Sequence, residues 1–402
     1  MKRVALLCLG LAVGAASAAE AQLTMQMTNG WSFTFSGNVN AFAIYESTDE
    51  EGGTLAAPGG LIGIGGKGFN LRTGLLPAFA VFDAKGKEGN TDLGVHFGFA
   101  PQIQCGTGGG TASAHDCFGA QIDMRQVYLT VGGTWGQILA GREIGLFNRQ
   151  NILTDQTLFG IGATGGINGG GTTLGRIGFG YIYPNFVAQM TYSTPAGRPG
   201  QFSIGLFQPA GLGGPAGSAY NETQLPRLEA EGTYKTGNIN LWVNGTAQNA
   251  KDPAADVSKT AVGAGGGFRF GSSSFSLTGS GYWGQGIGTT LQFNGTGGTG
   301  VAVGTDGDLR TSYGFLGQLT FTPSASKVTL AASYGSSFLQ ASDGEPIDFK
   351  TENSLISGGI YYQATKSLKV VGEGNYAWTK ESVADTDKNS TFAPAFGLML
   401  FF

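Results

Sequence analysis

From Trp31 to the carboxyl end, apolar or small side chains occupy every second position in segments of about ten residues, with polar side chains between them. Successive side chains of a strand point to opposite faces, so each segment predicts a strand with one apolar and one polar face. Trp31, Phe33 and Phe35 oppose Ser32, Thr34 and Ser36; Phe186, Ala188, Met190 and Tyr192 alternate with Val187, Gln189, Thr191 and Ser193. Leu228, Ala230, Gly232 and Tyr234 oppose Arg227, Glu229, Glu231, Thr233 and Lys235, and Phe202, Ile204 and Leu206 repeat the rhythm. Val328, Leu330, Ala332 and Tyr334 oppose Lys327, Thr329 and Ser333; Leu368, Val370, Tyr376 and Trp378 oppose Lys369, Glu373, Asn375 and Thr379. Seventeen such runs can be counted, an odd number that a closed barrel with both chain ends on one side forbids. The ambiguity lies between Tyr181 and Leu225, where Pro184-Asn185 reads as a turn or a bend and Gln201 to Gln208 as a span or part of a loop. Sixteen strands is the preferred resolution.

The connections alternate in length. Short ones run from Lys85 to Asn90, Gly132 to Thr134, Lys235 to Asn238, Thr322 to Ser326 and Ala364 to Ser367. Long ones run from Glu46 to Phe69, Pro101 to Cys117, Glu143 to Thr172, Asn249 to Ser258, Gln285 to Leu309, Gly335 to Thr351 and Glu381 to Asn389. This asymmetry belongs to transmembrane barrels, with short periplasmic turns and long surface loops. Alternation alone does not decide which face meets solvent, because a soluble sandwich carries the same pattern with its polar face outward. Aromatic residues near strand ends, Trp31, Tyr45, Tyr192, Trp283, Tyr376 and Trp378, favour the membrane, where they would form an interfacial girdle.

The two chain ends point the same way. Lys2 and Arg3 precede an apolar run from Val4 to Val13 and then small residues through Ala21, the layout of a secretory signal peptide with cleavage at Ala16-Ser17-Ala18 or Ala19-Glu20-Ala21. Residues 1–21 are read as removed and 22–402 as one barrel exported to the outer membrane of a Gram-negative cell. At the other end Phe396, Leu398, Leu400 and Phe402 share one face of a final strand that stops without a polar tail, so it must pair and bury that face. With 72 glycines and no later apolar span of 18 residues, helical bundles and helical membrane proteins are excluded.

The terminal aromatic on an alternating strand resembles the assembly signal of bacterial outer-membrane barrels, which the barrel-assembly machinery reads. A more local resemblance lies in Arg125 to Arg142, RQVYLTVGGTWGQILAGR, which looks like a hairpin of the Gram-negative general porins. Arg176 to Phe186, RIGFGYIYPNF, is similar to the strand that follows the constriction loop in those proteins, and Glu143 to Gly175 matches that loop in place and length. The likeness covers about sixty residues; the rest agrees in strand rhythm and terminal Phe. It implies an all-β, trimeric, 16-stranded barrel in outer-membrane lipid, with an inward-folded loop, that lets small hydrophilic solutes and ions diffuse. A barrel of that size is too wide for side chains to fill, so an aqueous lumen remains.

By the same resemblance Arg125, Arg142 and Arg176, expected on three successive strands, form the basic wall of a constriction. Glu143, Arg149 and Asp155 fall in the inward loop, which lacks the Pro-Glu-Phe-type acidic motif of the family. An anion-favouring pore is the expectation, and an alternative is that the arginines merely brace loop and wall.

Other chemistry is sparse. Cys105 and Cys117, the only cysteines after residue 21, are expected to pair in an oxidising periplasm, closing a loop worth about 3 kcal/mol in the chain-entropy model. His115 beside them leaves a zinc site incomplete. Gly63 to Gly68 has a dinucleotide-type spacing but no helix pattern after it, and the two histidines have no nucleophile beside them, so no cofactor, metal or catalytic residue is expected. A net charge of −4 without basic runs speaks against nucleic acid. A surface adhesive barrel with a plugged lumen, and an outer-membrane hydrolase using His115, are the competing functions.

Overall fold

The computed structural model describes residues 23–51, 61–62, 66–104, 122–166, 171–214, 220–293, 301–345, 350–381 and 388–402. The expected signal segment 1–21, and Cys105, His115 and Cys117, lie outside these residues.

The chain forms β1 (Leu23–Gln26), β2 (Ser32–Glu51), β3 (Gly66–Arg72), β4 (Phe79–Glu88), β5 (Thr91–Pro101), β6 (Ile122–Gly133), β7 (Gly136–Ile144), β8 (Phe186–Ser193) and β9 (Gly200–Phe207). It continues with β10 (Arg227–Thr236), β11 (Ile239–Asp252), β12 (Val257–Gly271), β13 (Phe275–Gln285), β14 (Thr311–Phe321), β15 (Val328–Gln340), β16 (Lys350–Gln363), β17 (Leu368–Glu381) and β18 (Lys388–Phe401). Sequence neighbours pair antiparallel except β3 with β4, which both pair with β2, and β18 pairs back onto β2, closing a barrel of 16 wall positions. Two strands do not add positions. β1 folds back on the start of β2, and β3 and β4 share one position, the first pairing with residues 42–48 of β2 and the second with residues 32–38.

Residues 201–208 are a true span, β9 running to Phe207, whereas Pro184-Asn185 leads into β8 from a loop rather than joining two strands. The expected surface loop from Asn249 to Ser258 shrinks to a four-residue turn, since β11 extends to Asp252 and β12 starts at Val257. Polar residues on both faces hide strand continuity above the membrane, where neither face meets lipid.

The face exposed to the outside is apolar. Val243, Leu228, Phe275 and Leu277 are exposed, whereas their polar neighbours Asn244, Glu229, Ser276 and Thr278 are buried inside. That inversion is what a lipid-facing barrel needs and a soluble sandwich forbids. Phe396, Leu398 and Leu400 are 58%, 47% and 48% exposed on this outer face. Phe402 completes the seam: its N–H donates to Gly37 O at 3.0 Å, its carbonyl accepts from Gly37 N at 2.8 Å, and its ring lies 5.4 Å from Phe35.

The apolar core is inside the barrel and comes from a loop. The described residues between β7 and β8, 145–166 and 171–185, turn inward, carrying a short helix α1 (Arg149–Thr154) and a 3-10 turn (Gln156–Phe159). Ile152, Leu158, Ile161, Ile177 and Tyr181 pack there with Phe42 of the wall and with Leu75 and Leu76. Leu75 and Leu76 stand on a second inward detour, residues 73–78, which separates β3 from β4. Gly74 lets the two backbones meet, because a Cβ there would lie 2.4 Å from Gly160 O.

Candidate functional site

The inward loop divides the lumen, and its two sides are built differently. On the side of β10, β11 and β14–β17, buried polar groups hold it. The Glu229 carboxylate accepts from the N–H groups of Leu146 and Phe147 at 2.6 and 3.0 Å, and Arg227 pairs with it at 3.2 Å. Glu231 takes the Arg149 guanidinium at 2.5 Å and the Gln150 amide at 3.2 Å, while Trp242 Nε1 donates to Asn151 Oδ1 at 2.8 Å. Further along, Gln318 accepts from Gln156 N and donates to Thr154 O. Glu373 accepts from Ile161 N, Gly162 N and the Tyr361 hydroxyl at 3.1, 2.7 and 2.8 Å. These carboxylates hold backbone donors that a loop buried away from water would otherwise leave orphaned.

On the side of β3–β8 the loop faces a cavity of about 320 Å³. Leu75, Leu76, Ile144, Leu153, Leu158 and Phe186 give it mostly apolar walls, and Arg72 and Arg125 are the charged residues among its described lining. Arg72 reaches across to the loop, donating to Thr164 O at 2.8 Å and Thr172 O at 3.0 Å. Arg125 sits on a β-bulge: Gly98 pairs with Gln126 and Phe99 with Met124, so Arg125 is the extra residue of β6. Its Nε donates to Asp123 at 2.8 Å, one terminal nitrogen lies 3.5 Å from the Tyr183 hydroxyl, and the guanidinium stands 5.7 Å from the Phe186 ring centroid.

The family model of the Gram-negative porins matches residues 5–388. The chain belongs to that family. Among solved structures, it is similar to the outer membrane channel DcaP of Acinetobacter baumannii at 14% identity and TM-score 0.67, covering 94% of this chain and 99% of that one. The anion-selective porin from Comamonas acidovorans matches at 14% identity and TM-score 0.61, covering 92% and 100%. Salmonella typhi OmpF in complex with daunomycin matches at 10% identity and TM-score 0.54, covering 93% and 100%. At these identities the likeness is one of fold. No curated protein sequence matches the chain. Family and fold together make this porin an outer-membrane channel for passive diffusion.

Of the three arginines expected on successive strands, only Arg125 lines the cavity. Arg142 pairs with Val127 and Ala188 on β6 and β8, is exposed, and is not among the described residues that line the cavity. Arg176 is not on a strand. Residues 176–185 belong to the inward loop, and Arg176 is 0% exposed, bonded to Ser333 Oγ and O at 3.1 and 2.8 Å and to Leu355 O at 2.9 Å. Its role is bracing, because β15 and β16 consume its donors.

The acidic residues are likewise occupied. Glu143 lies on β7 rather than in the loop, accepting from Gln126 and from Ile144 N. Asp155 accepts from Thr157 N, Thr157 Oγ and the Tyr181 hydroxyl at 2.9, 2.7 and 2.8 Å. Burial pushes its carboxyl up, opposed by Arg176 and these hydrogen bonds, and burial also drives the Tyr181 hydroxyl well above its ordinary range.

Arg72, Glu229, Glu231 and Glu373 are the residues that sequence reasoning did not single out. The signal available was position: each is a charge on the inward face of a strand in a chain that is only 12% charged. Buried charges are costly unless paired, so their presence there marks a structural partner.

Proposed function

We propose that solutes cross this channel along the β3–β8 side of the inward loop, past Arg125, and that this passage is the constriction. The observation that carries the reading is the asymmetry of the loop's contacts. Hydrogen bonds seal it to β10–β17, and a cavity separates it from the wall that bears Arg125. With the loop's Asp155 bonded elsewhere, the charged groups that line the cavity are Arg72 and Arg125, which lower the barrier for anions.

The finer features of the reading follow the family. Three copies assemble, as OmpT of Vibrio cholerae does in its trimer form. Export uses a cleaved leader at residues 1–21, Cys105 and Cys117 pair, and Phe396, Leu398, Leu400 and Phe402 present the assembly signal on the outer face. The protein acts as a conduit, without a catalytic step.

Conductance in planar bilayers under a KCl gradient tests the passage. The reading expects ohmic single-channel current with a reversal potential on the anion side. Absence of current from folded, inserted barrels would favour the plugged adhesive barrel instead.

A further inference from the structure

We propose that the constriction is a binding site for organic monoanions with an apolar body, such as aromatic or medium-chain carboxylates, in addition to passing small ions. The inference rests on the cavity being the solute path and goes further by naming what it retains. Three observations meet there.

The first is wall chemistry. A passage built only for hydrophilic solutes would present polar groups on both sides, yet Leu153 and Leu158 of the loop face Leu75, Leu76, Ile144 and Phe186 of the wall. Water held between such surfaces has few partners, and an apolar solute displaces it favourably.

The second is charge. Among the described residues no carboxylate lines the cavity, whereas Arg72 and Arg125 do. Asp155, Glu229, Glu231 and Glu373 are turned into the loop's hydrogen-bonded side, Asp123 is held by Arg125, and Glu46 stands behind Arg72. Arg72 is committed to two loop carbonyls and acts as a positioning residue. Arg125 spends one edge on Asp123 and reaches the Tyr183 hydroxyl only at 3.5 Å, so it is the group placed to meet a carboxylate. The Phe186 ring beneath its guanidinium gives a planar, partly apolar platform on which an arene can also rest.

The third is size. At about 320 Å³ the cavity is roughly twice the 150 Å³ that holds one benzene ring, so a substituted ring or a chain of similar bulk fits, together with its carboxylate. Neutral sugars lack the charge, small inorganic anions lack the apolar surface, and cations meet two arginines in the lining. The combination selects one ligand class.

The test uses the full-length porin in planar bilayers with KCl on both sides. Benzoate, gluconate and benzyl alcohol are added in turn, and block of the chloride-carried single-channel current is titrated. The expected result is that benzoate blocks at a concentration about tenfold lower than gluconate, and that benzyl alcohol does not block, because pairing and apolar burial are both required. Arg125→Gln should weaken benzoate block about tenfold, Arg125→Lys should restore most of it, and Leu153→Asn should weaken it several-fold without changing gluconate block. Equal block by benzoate and gluconate in the wild-type channel would overturn the binding site while leaving the conducting channel intact, and needs no variant to fold. Loss of all chloride current in the wild type would overturn the path itself and the binding site with it.

Discussion

The two sides of the lumen use the same residue types for opposite ends. Against β10–β17 the inward loop meets Glu229, Glu231 and Glu373, each accepting from loop backbone or side-chain donors, so charge serves as a fastener. Against β3–β8, Arg72 and the backbone of residues 73–75 also bond the loop, but beyond them Leu153 and Leu158 face Ile144, Phe186 and Arg125 across a cavity, so there charge is open to solutes. The difference teaches that in a wide barrel an ionisable inward residue cannot be assigned to the pore by its position on the strand. What decides is whether the loop has already taken its hydrogen bonds.

The largest expected effect comes from breaking the fastened side. Glu373→Leu removes the acceptor for Ile161 N, Gly162 N and the Tyr361 hydroxyl. Each orphaned buried donor costs about 1–3 kcal/mol, enough to release that limb of the loop while the barrel's own hydrogen bonds persist. Single-channel records should show larger, noisier conductance from a barrel that remains heat-modifiable in gels. Quiet, wild-type-sized current would count against the fastening role.

A smaller effect sharpens the other side. A unit charge at 4 Å in water-like dielectric is worth about 1 kcal/mol, so Arg125→Gln should lower the chloride-to-potassium permeability ratio about fivefold at low salt. Arg142→Gln, outside the cavity lining, should leave the reversal potential where it was. Equal shifts in both variants would mean that the field along the passage is not set at the cavity lining.

The smallest effect is a pH response remote from the passage. Glu345 clasps Arg310 between two surface loops, at 2.5 and 2.8 Å, and also accepts from Ser342 N and Thr305 N. Partial burial raises its carboxyl, but Arg310 and these donors bring it down from 4.5 to about 2. A depressed carboxyl contributes stability fully above its ordinary value of 4.5 and loses it as pH falls towards 2. Spin labels at Thr305→Cys and Asp343→Cys should therefore keep their separation from pH 7 to about 5 and broaden only in stronger acid. Broadening near neutrality would contradict the clasp.

How far the sequence could be read depended on which forces leave a periodic mark. Lipid contact does, so Leu228, Leu330 and Phe396 announced their strands and the closed barrel was legible from alternation and an aromatic end. Where strands rise above the lipid, as at Lys251-Asp252 and Val257-Ser258, that constraint lapses and a tight turn reads as a loop. The inward loop was legible in place but not in extent. Ile177, Phe179 and Tyr181 alternate as a strand would, yet they bury against Leu75, Leu61 and neighbouring lumen residues, because an apolar side chain can satisfy itself on either side of the wall. The bulge that turns Arg125 inward leaves no pattern in composition, and Arg176 could be separated from Arg125 only by seeing Ser333 and Leu355 take its donors.

Thiol accessibility under current tests the asymmetry most directly. In a background with Cys105→Ser and Cys117→Ser, Leu153→Cys places a thiol on the cavity side of the loop, and Gln318→Cys places one on the fastened side, where Gln318 bonds Gln156 N and Thr154 O. A negatively charged methanethiosulfonate reagent should cut single-channel conductance stepwise in the first and leave the second unchanged. Block at Gln318→Cys with none at Leu153→Cys would place the passage on the wrong side of the loop and contradict the account.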